Sequence, residues 1–268
     1  MKLQIVDLQQ KEIAKIELPV QFKEEVRLDL VQRAIMSLWN NKRQPYGAYF
    51  DAGDRHSVKI SKQRHDFKGS YGLGISRVPR KILSRNGTRF NWVGAQAPGT
   101  VGGRRAHPPK AEKNWEEKIN KKERRKAIRS ALSAVMHKDL VANRGHKIPA
   151  NYPFIVDNSF ESISKTKDVL AALDTLGFSD DLARSLDRKI RAGKGKRRGR
   201  KYKIKKSVLL VVSQQCHLQK SAKNIPGVDV VDIRKINAEL LAPGIQLGRA
   251  TLFTQGAIEA MEKEQLFM

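Results

Sequence analysis

Apolar residues at strand-like spacing occupy residues 3–8 and 12–18. From residue 28 the interval changes, and Leu28, Val31, Ile35 and Leu38 recur three and four apart. This predicts two short strands followed by a helix with one face toward a core. Periodicity stops near Asn40. Glycine and proline then punctuate residues 43–110 with no sustained apolar spacing, which predicts a long loop of functional or disordered character. With roughly 34 residues out and as many back at about 3.3 Å each, its reach is up to ~110 Å if fully extended. The other ~200 residues suit a body with a radius of gyration of only about 16–17 Å.

Helical spacing returns from about residue 114 or 120 to 142. Ile128, Leu132, Val135 and Met136 form its apolar stripe, opposite Lys122, Arg125, Lys126 and Arg129. An alternating pattern follows: a strand at 154–157, a helix at 165–176 ended by Gly177, and a second helix. Ser179 is the expected N-cap of that helix, Asp180 and Asp181 its first turn, and Arg188, Lys189 and Arg191 its last. Residues 207–213 form a strand whose centre, 208–212, is a continuous apolar run of the kind buried on both faces of a parallel sheet. Residues 228–233 and 249–253 repeat it, and 255–264 make a final helix. The fold class predicted is α/β: a single globular domain with a largely parallel sheet flanked by helices, plus a long extended inserted loop. The expected body is 1–42 with 111–268, the loop is 43–110, and 188–206 is a basic segment within the body.

Charge changes the picture. Fifty-three Lys and Arg against 27 Asp and Glu leave a net +26. Residues 67–111 contain no acid but carry Lys68, Arg77, Arg80, Lys81, Arg85, Arg89, Arg104, Arg105 and Lys110. Ordering costs roughly 1–2 kcal/mol per residue, and a segment without periodic apolar side chains has little to offset it. Its order is expected to come from a polyanion, nucleic acid first. Residues 188–206 add twelve basic residues and no acid, among them Lys194, Lys196, Arg197, Arg198, Arg200 and Lys201. One such run is as often a solvated linker; two favour phosphate binding. Trp92, flanked by Arg89 and Asn91, is a candidate for stacking on an unpaired base.

Other chemistries lack their residues. Cys216 is the single cysteine, which excludes an internal disulfide and a multi-cysteine zinc site and fits a reducing compartment. The histidines at 56, 65, 107, 137, 146 and 217 have no metal-ligand or catalytic spacing. The glycines of 69–74 neither follow a buried strand nor open a helix, and no glycine follows the strand at 154–157, so a nucleotide loop is not indicated. No catalytic residues, metal or cofactor are predicted. Neither a signal peptide nor an apolar run of about 18 residues occurs, and the chain is read as soluble and intracellular, without a membrane partner.

Several segments together resemble a known family: GLGISRVPR at 72–80, GGRRAHPPK at 102–110, NKKERRKAIRSAL at 120–132, RGH at 144–146, PGVDVVDI at 226–233 and LLAPG at 240–244. They are similar to the archaeal and eukaryotic branch of the fourth large-subunit ribosomal protein. Val135 and Met136 depart from the small or hydroxylated residues usual there. The resemblance implies a cytoplasmic, non-enzymatic constituent of the large ribosomal subunit, with ribosomal RNA, neighbouring ribosomal proteins and the nascent polypeptide as partners, and no homo-oligomer. It also implies that the loop tip, Ile75, Ser76, Arg77, Val78, Pro79, Arg80 and Lys81, helps to line the peptide exit tunnel. Two other readings of the charge are an RNA-modifying enzyme with a basic guide loop and a general DNA-compacting protein.

Overall fold

A computed structural model describes residues 1–67 and 69–268; Lys68, one of the expected phosphate contacts, lies outside the described residues. The chain divides into two compact units, Met1–Asn41 with Glu116–Met268, and Lys42–Trp115.

The first unit opens with strands β1 (Lys2–Val6) and β2 (Glu12–Glu17) and helix α1 (Leu28–Asn41). The second unit contributes strands β3 (Arg80–Asn86) and β4 (Arg89–Gly94). The first unit resumes with α2 (Lys121–Met136), α3 (Lys138–Asn143), β5 (Ile155–Val156), α4 (Thr166–Thr175) and α5 (Ser179–Leu186). Strands β6 (Arg188–Ile190), β7 (Tyr202–Ile204) and β8 (Leu209–Val212) follow, then α6 (Leu218–Ser221) and β9 (Asp229–Asp232). The chain ends with α7 (Ala238–Leu241), β10 (Thr251–Thr254) and α8 (Gln255–Lys263).

Six strands form one sheet in the order β2-β1-β5-β10-β8-β9. Only the β1–β2 pair is antiparallel; the rest are parallel. Successive side chains of a strand point to opposite faces, and here both faces are covered. Leu209, Val211, Ile155 and Phe253 pack with α1, α2 and α8 in one cluster. Leu210, Val212, Val156 and Leu252 pack with α4, α5 and α6 in the other. The uninterrupted apolar run of β8 therefore reflects two buried faces, as in α/β sheets generally. At the edge, β9 is half-buried throughout.

Four expectations need correction. The single helix expected up to 142 breaks at His137, which is extended at φ −87° and ψ 105°. Tyr152 Oη donates to Val135 O at 2.9 Å, occupying a carbonyl that an unbroken helix would use four residues on. Leu28 is 49% exposed, because it stands at the first position of α1, ahead of the buried Val31, Ala34 and Ile35. Helix α5 ends at Leu186, with Phe178 and not Ser179 at its N-cap, and Arg188 and Lys189 pair as a strand instead of closing the helix. The loop also contains regular structure: β3 and β4 form an antiparallel hairpin closed by Gly87 and Thr88. Gly87 has φ +56°, which suits glycine at the first position of a two-residue hairpin turn.

Candidate nucleic-acid interface

In the second unit the β3–β4 hairpin carries Arg80, Lys81, Arg85 and Arg89 of the predicted cations. Its register pairs Ile82 with Trp92 and Arg85 with Phe90. Phe67, Phe90 and Trp92 form a chain of rings at centroid separations of 5.7 and 6.2 Å. Arg80 is 9% exposed and bonds to Val78 O and Ser76 Oγ, both at 3.3 Å. Ala95 N donates to Pro79 O at 2.8 Å, and a bridge of Lys59 with Arg80 adds a third backbone segment.

The predicted residues therefore divide by exposure. Arg77, Arg85, Arg89, Arg105 and Lys110 are exposed, as is Ser76. Ile75, Val78, Pro79, Lys81, Trp92 and Arg104 are half-buried, and Arg80 is buried. Arg77 lies 4.6 Å from the ring centroid of Tyr71, and Arg104 reaches Asp54 at 3.9 Å. Several apolar side chains of the same segment face solvent, notably Leu73, Leu83 and Val101, the last 98% exposed.

Close backbone packing holds the outgoing and returning parts of this unit together. Ala48 N donates to Pro109 O at 2.8 Å, and Arg104 N to Gln96 O at 3.2 Å. A Cβ on Gly103 would stand 2.2 Å from Ala97 O, so only glycine permits that turn.

One cluster here was missed by sequence reasoning, because Trp115 lies beyond the expected loop boundary at 110. Tyr46 and Trp115 stack at 5.9 Å with planes 20° apart. Arg43 lies 3.9 Å and Lys113 Nζ 4.2 Å from the Trp115 ring centroid. The signal available was a tryptophan among Lys110, Lys113 and Lys118.

In the first unit the second basic run forms the hairpin β6–β7, with a 3-10 turn Lys194–Arg198 at its end. Lys194, Lys196, Arg197, Arg198, Arg200 and Lys201 are all exposed. Buried charges fix its root. Asp181 accepts from Ser207 Oγ at 2.6 Å, Arg184 Nε at 2.9 Å and Lys147 N at 3.1 Å, with His146 Nδ1 at 3.2 Å. Burial would raise the Asp181 carboxyl, but the hydrogen bonds and charge interaction with His146 and the hydrogen bonds from Arg184 and Ser207 hold it well below its ordinary range. Burial pulls the His146 imidazole down, against the pull of Asp181, and Arg184 Nη2 also stands 3.2 Å from its Nδ1. Arg184 also donates to Lys206 O at 2.8 Å. Arg249, fully buried, donates to Ser207 O, Leu240 O and Gly227 O and pairs with Asp229 at 2.6 Å. The residues just after β7 are thus pinned to the sheet.

A three-layer α/β body whose sequence also supplies two basic hairpins has the features expected of a polyanion-binding protein. The family comparison makes this specific: the model of the Ribosomal protein L4/L1 family matches residues 16–264, and the chain belongs to that family. It is similar to the large ribosomal subunit protein uL4 of Nanoarchaeum equitans, 47% identical over the full length of both chains. It is also similar to the proteins of that name from Methanococcoides burtonii, 48% identical over 96% of each chain, and Archaeoglobus fulgidus, 44% over 97% of each.

Proposed function

We propose that this chain is a structural constituent of the large ribosomal subunit that binds its RNA through two basic arms, 43–110 and 188–206, carried by a body of 1–42 and 111–268. Its family is one of ribosomal proteins, not enzymes, which gives the coarse function, the cytoplasmic setting and the partners: ribosomal RNA and neighbouring ribosomal proteins. The finer reading is that the loop supports RNA folding during assembly, and that its 75–81 tip meets the nascent polypeptide in the exit tunnel.

The observation that carries the reading is the acid-free segment 67–111, where exposed Arg77, Arg85, Arg89, Arg105 and Lys110 accompany exposed Leu73, Leu83 and Val101. Such cations neutralise phosphates, and such apolar groups gain by burial in a partner. Phosphate contacts are proposed for the exposed cations of both arms, Arg77, Arg105 and Lys110 among them, and for the half-buried Lys81 and Arg104. Trp92 and Arg80, packed on each other at the base of the hairpin, are proposed to hold residues 75–81 in place for contact with RNA.

A photo-reactive residue at position 77, incorporated into translating ribosomes, tests the finer reading. Crosslinks to nascent chains are expected, and crosslinks confined to RNA or solvent-side proteins would refute the tunnel role. Titration of a large-subunit RNA fragment tests the coarser one. If about ten phosphates are engaged, log affinity falls against log salt with a slope near −7. A flat salt response would contradict it.

A further inference from the structure

The cleft beside Tyr46 and Trp115 lies wholly within the second unit and encloses about 590 Å³, with Pro108, Pro109 and Lys110 also in its lining. That volume falls in the range of small-ligand sites, which run from roughly 300 to 1,000 Å³. Its lining is mixed: the rings of Tyr46 and Trp115 and the two prolines are its apolar part, and Arg105, Lys110 and Lys113 line it as well. The Trp115 indole N–H is shielded from solvent and has no hydrogen-bond partner among the described residues. A shielded donor without an acceptor is costly, about 1–3 kcal/mol, and a ligand that supplies an acceptor removes that cost.

We propose that this cleft is a receptor for one unpaired RNA base, seated against the Trp115 ring with an acceptor on Nε1 and its flanking phosphates on Arg105, Lys110 and Lys113. A bare phosphate would leave the aromatic wall unused, and a paired base cannot present its face. The carboxylate of the lining, Glu112, suits an exocyclic base amine and repels phosphate, which orients a nucleotide base-inward. Arg43 and Lys113, now over the indole, hold part of the aromatic surface until a base displaces one of them. This site rests on the RNA-binding reading above but adds a requirement for unpaired sequence that phosphate contacts alone do not impose.

The test uses the full chain and short RNAs carrying 4-thiouridine. Crosslinks from the single-stranded RNA should map to Tyr46 or Trp115 and vanish with the matching duplex. Trp115→Ala should weaken single-strand binding roughly 5- to 100-fold while leaving the salt slope unchanged, since no cation is removed. Trp115→Phe, which keeps a ring and loses the N–H, should fall between the two and shows whether the alanine variant merely misfolds. Crosslinks confined to the two basic hairpins, or equal affinity for Trp115→Ala, would overturn the base receptor while leaving RNA binding intact. Absence of any RNA binding by the unaltered chain would bring down both readings.

Discussion

The guanidinium of Arg80 lies over the indole of Trp92, 5.4 Å from its ring centroid, at the base of the β3–β4 hairpin. Both residues are thereby spent on local order: the arginine is satisfied within its own segment and the tryptophan is half-buried. Arg80→Ala removes the cation–π contact and two hydrogen bonds, and should cost the hairpin about 1–2 kcal/mol. Hydrogen exchange at Ile82 and Trp92 should accelerate about 5- to 30-fold while amides of β8 keep their protection. Unchanged exchange at Ile82 would show that the contact does not support the hairpin.

That pair also marks where sequence reading stops. The β8 run, the α2 stripe and the β10 run were legible because apolar spacing encodes which faces are covered. Within 43–110 the same method sees no period, since the hairpin is short and its rings, Phe67, Phe90 and Trp92, are far apart in sequence. Asn86-Gly87 is a local turn signal, but it stands among many other glycines and prolines. The break at His137 leaves no local mark at all, because it depends on Tyr152 arriving from fifteen residues downstream. Cation positions were plain from composition; which of them end buried, as Arg80 does, is decided by packing.

Asp181 is the hinge of the buried polar cluster at the root of the second hairpin. Asp181→Ala strands His146, Ser207 and the Lys147 amide together, and should destabilise the first unit by about 3–5 kcal/mol. Urea denaturation gives the value directly, and a loss under about 1 kcal/mol would mean that water replaces the carboxylate.

The same cluster sets a pH dependence. His146 and Asp181 both bind protons less readily folded than unfolded, so the stability they contribute is complete above their unfolded values and is lost as pH falls. The histidine part should decline below about pH 6.5 and the carboxylate part below about pH 4. Asp229, held low against its own burial by Arg249 and Lys206, acts in the same direction. Urea midpoints should therefore drop from pH 7 to 5.5 and again below 4. His146→Gln should flatten the first drop; persistence of that drop would assign it elsewhere.

Lys196, Arg197 and Arg198 end the β6–β7 hairpin in full exposure. Replacing all three with glutamine should leave the thermal midpoint within about 1–2 °C, because exposed charges contribute little to folding. If each neutralises one RNA phosphate, the salt slope should become shallower by about 2. An unchanged slope with unchanged affinity would make this run a solvated linker.

Among the described residues, the two core clusters of the first unit draw none from Lys42–Trp115. The chain ends flanking that segment are already tied: Glu117 N donates to Asn41 Oδ1 at 2.9 Å, and Ser37 Oγ donates to Glu117 O at 2.6 Å. Replacing 43–114 with a short glycine-serine linker therefore asks for no new span and shortens a loop, whose closure entropy changes slowly with length. The shortened protein should unfold in one cooperative urea transition, within about 1 kcal/mol of the full chain, while its RNA affinity drops and its salt slope becomes shallower. Loss of the cooperative transition would place part of the folding energy of the first unit in the loop, and would contradict the division of labour on which the RNA-binding reading depends.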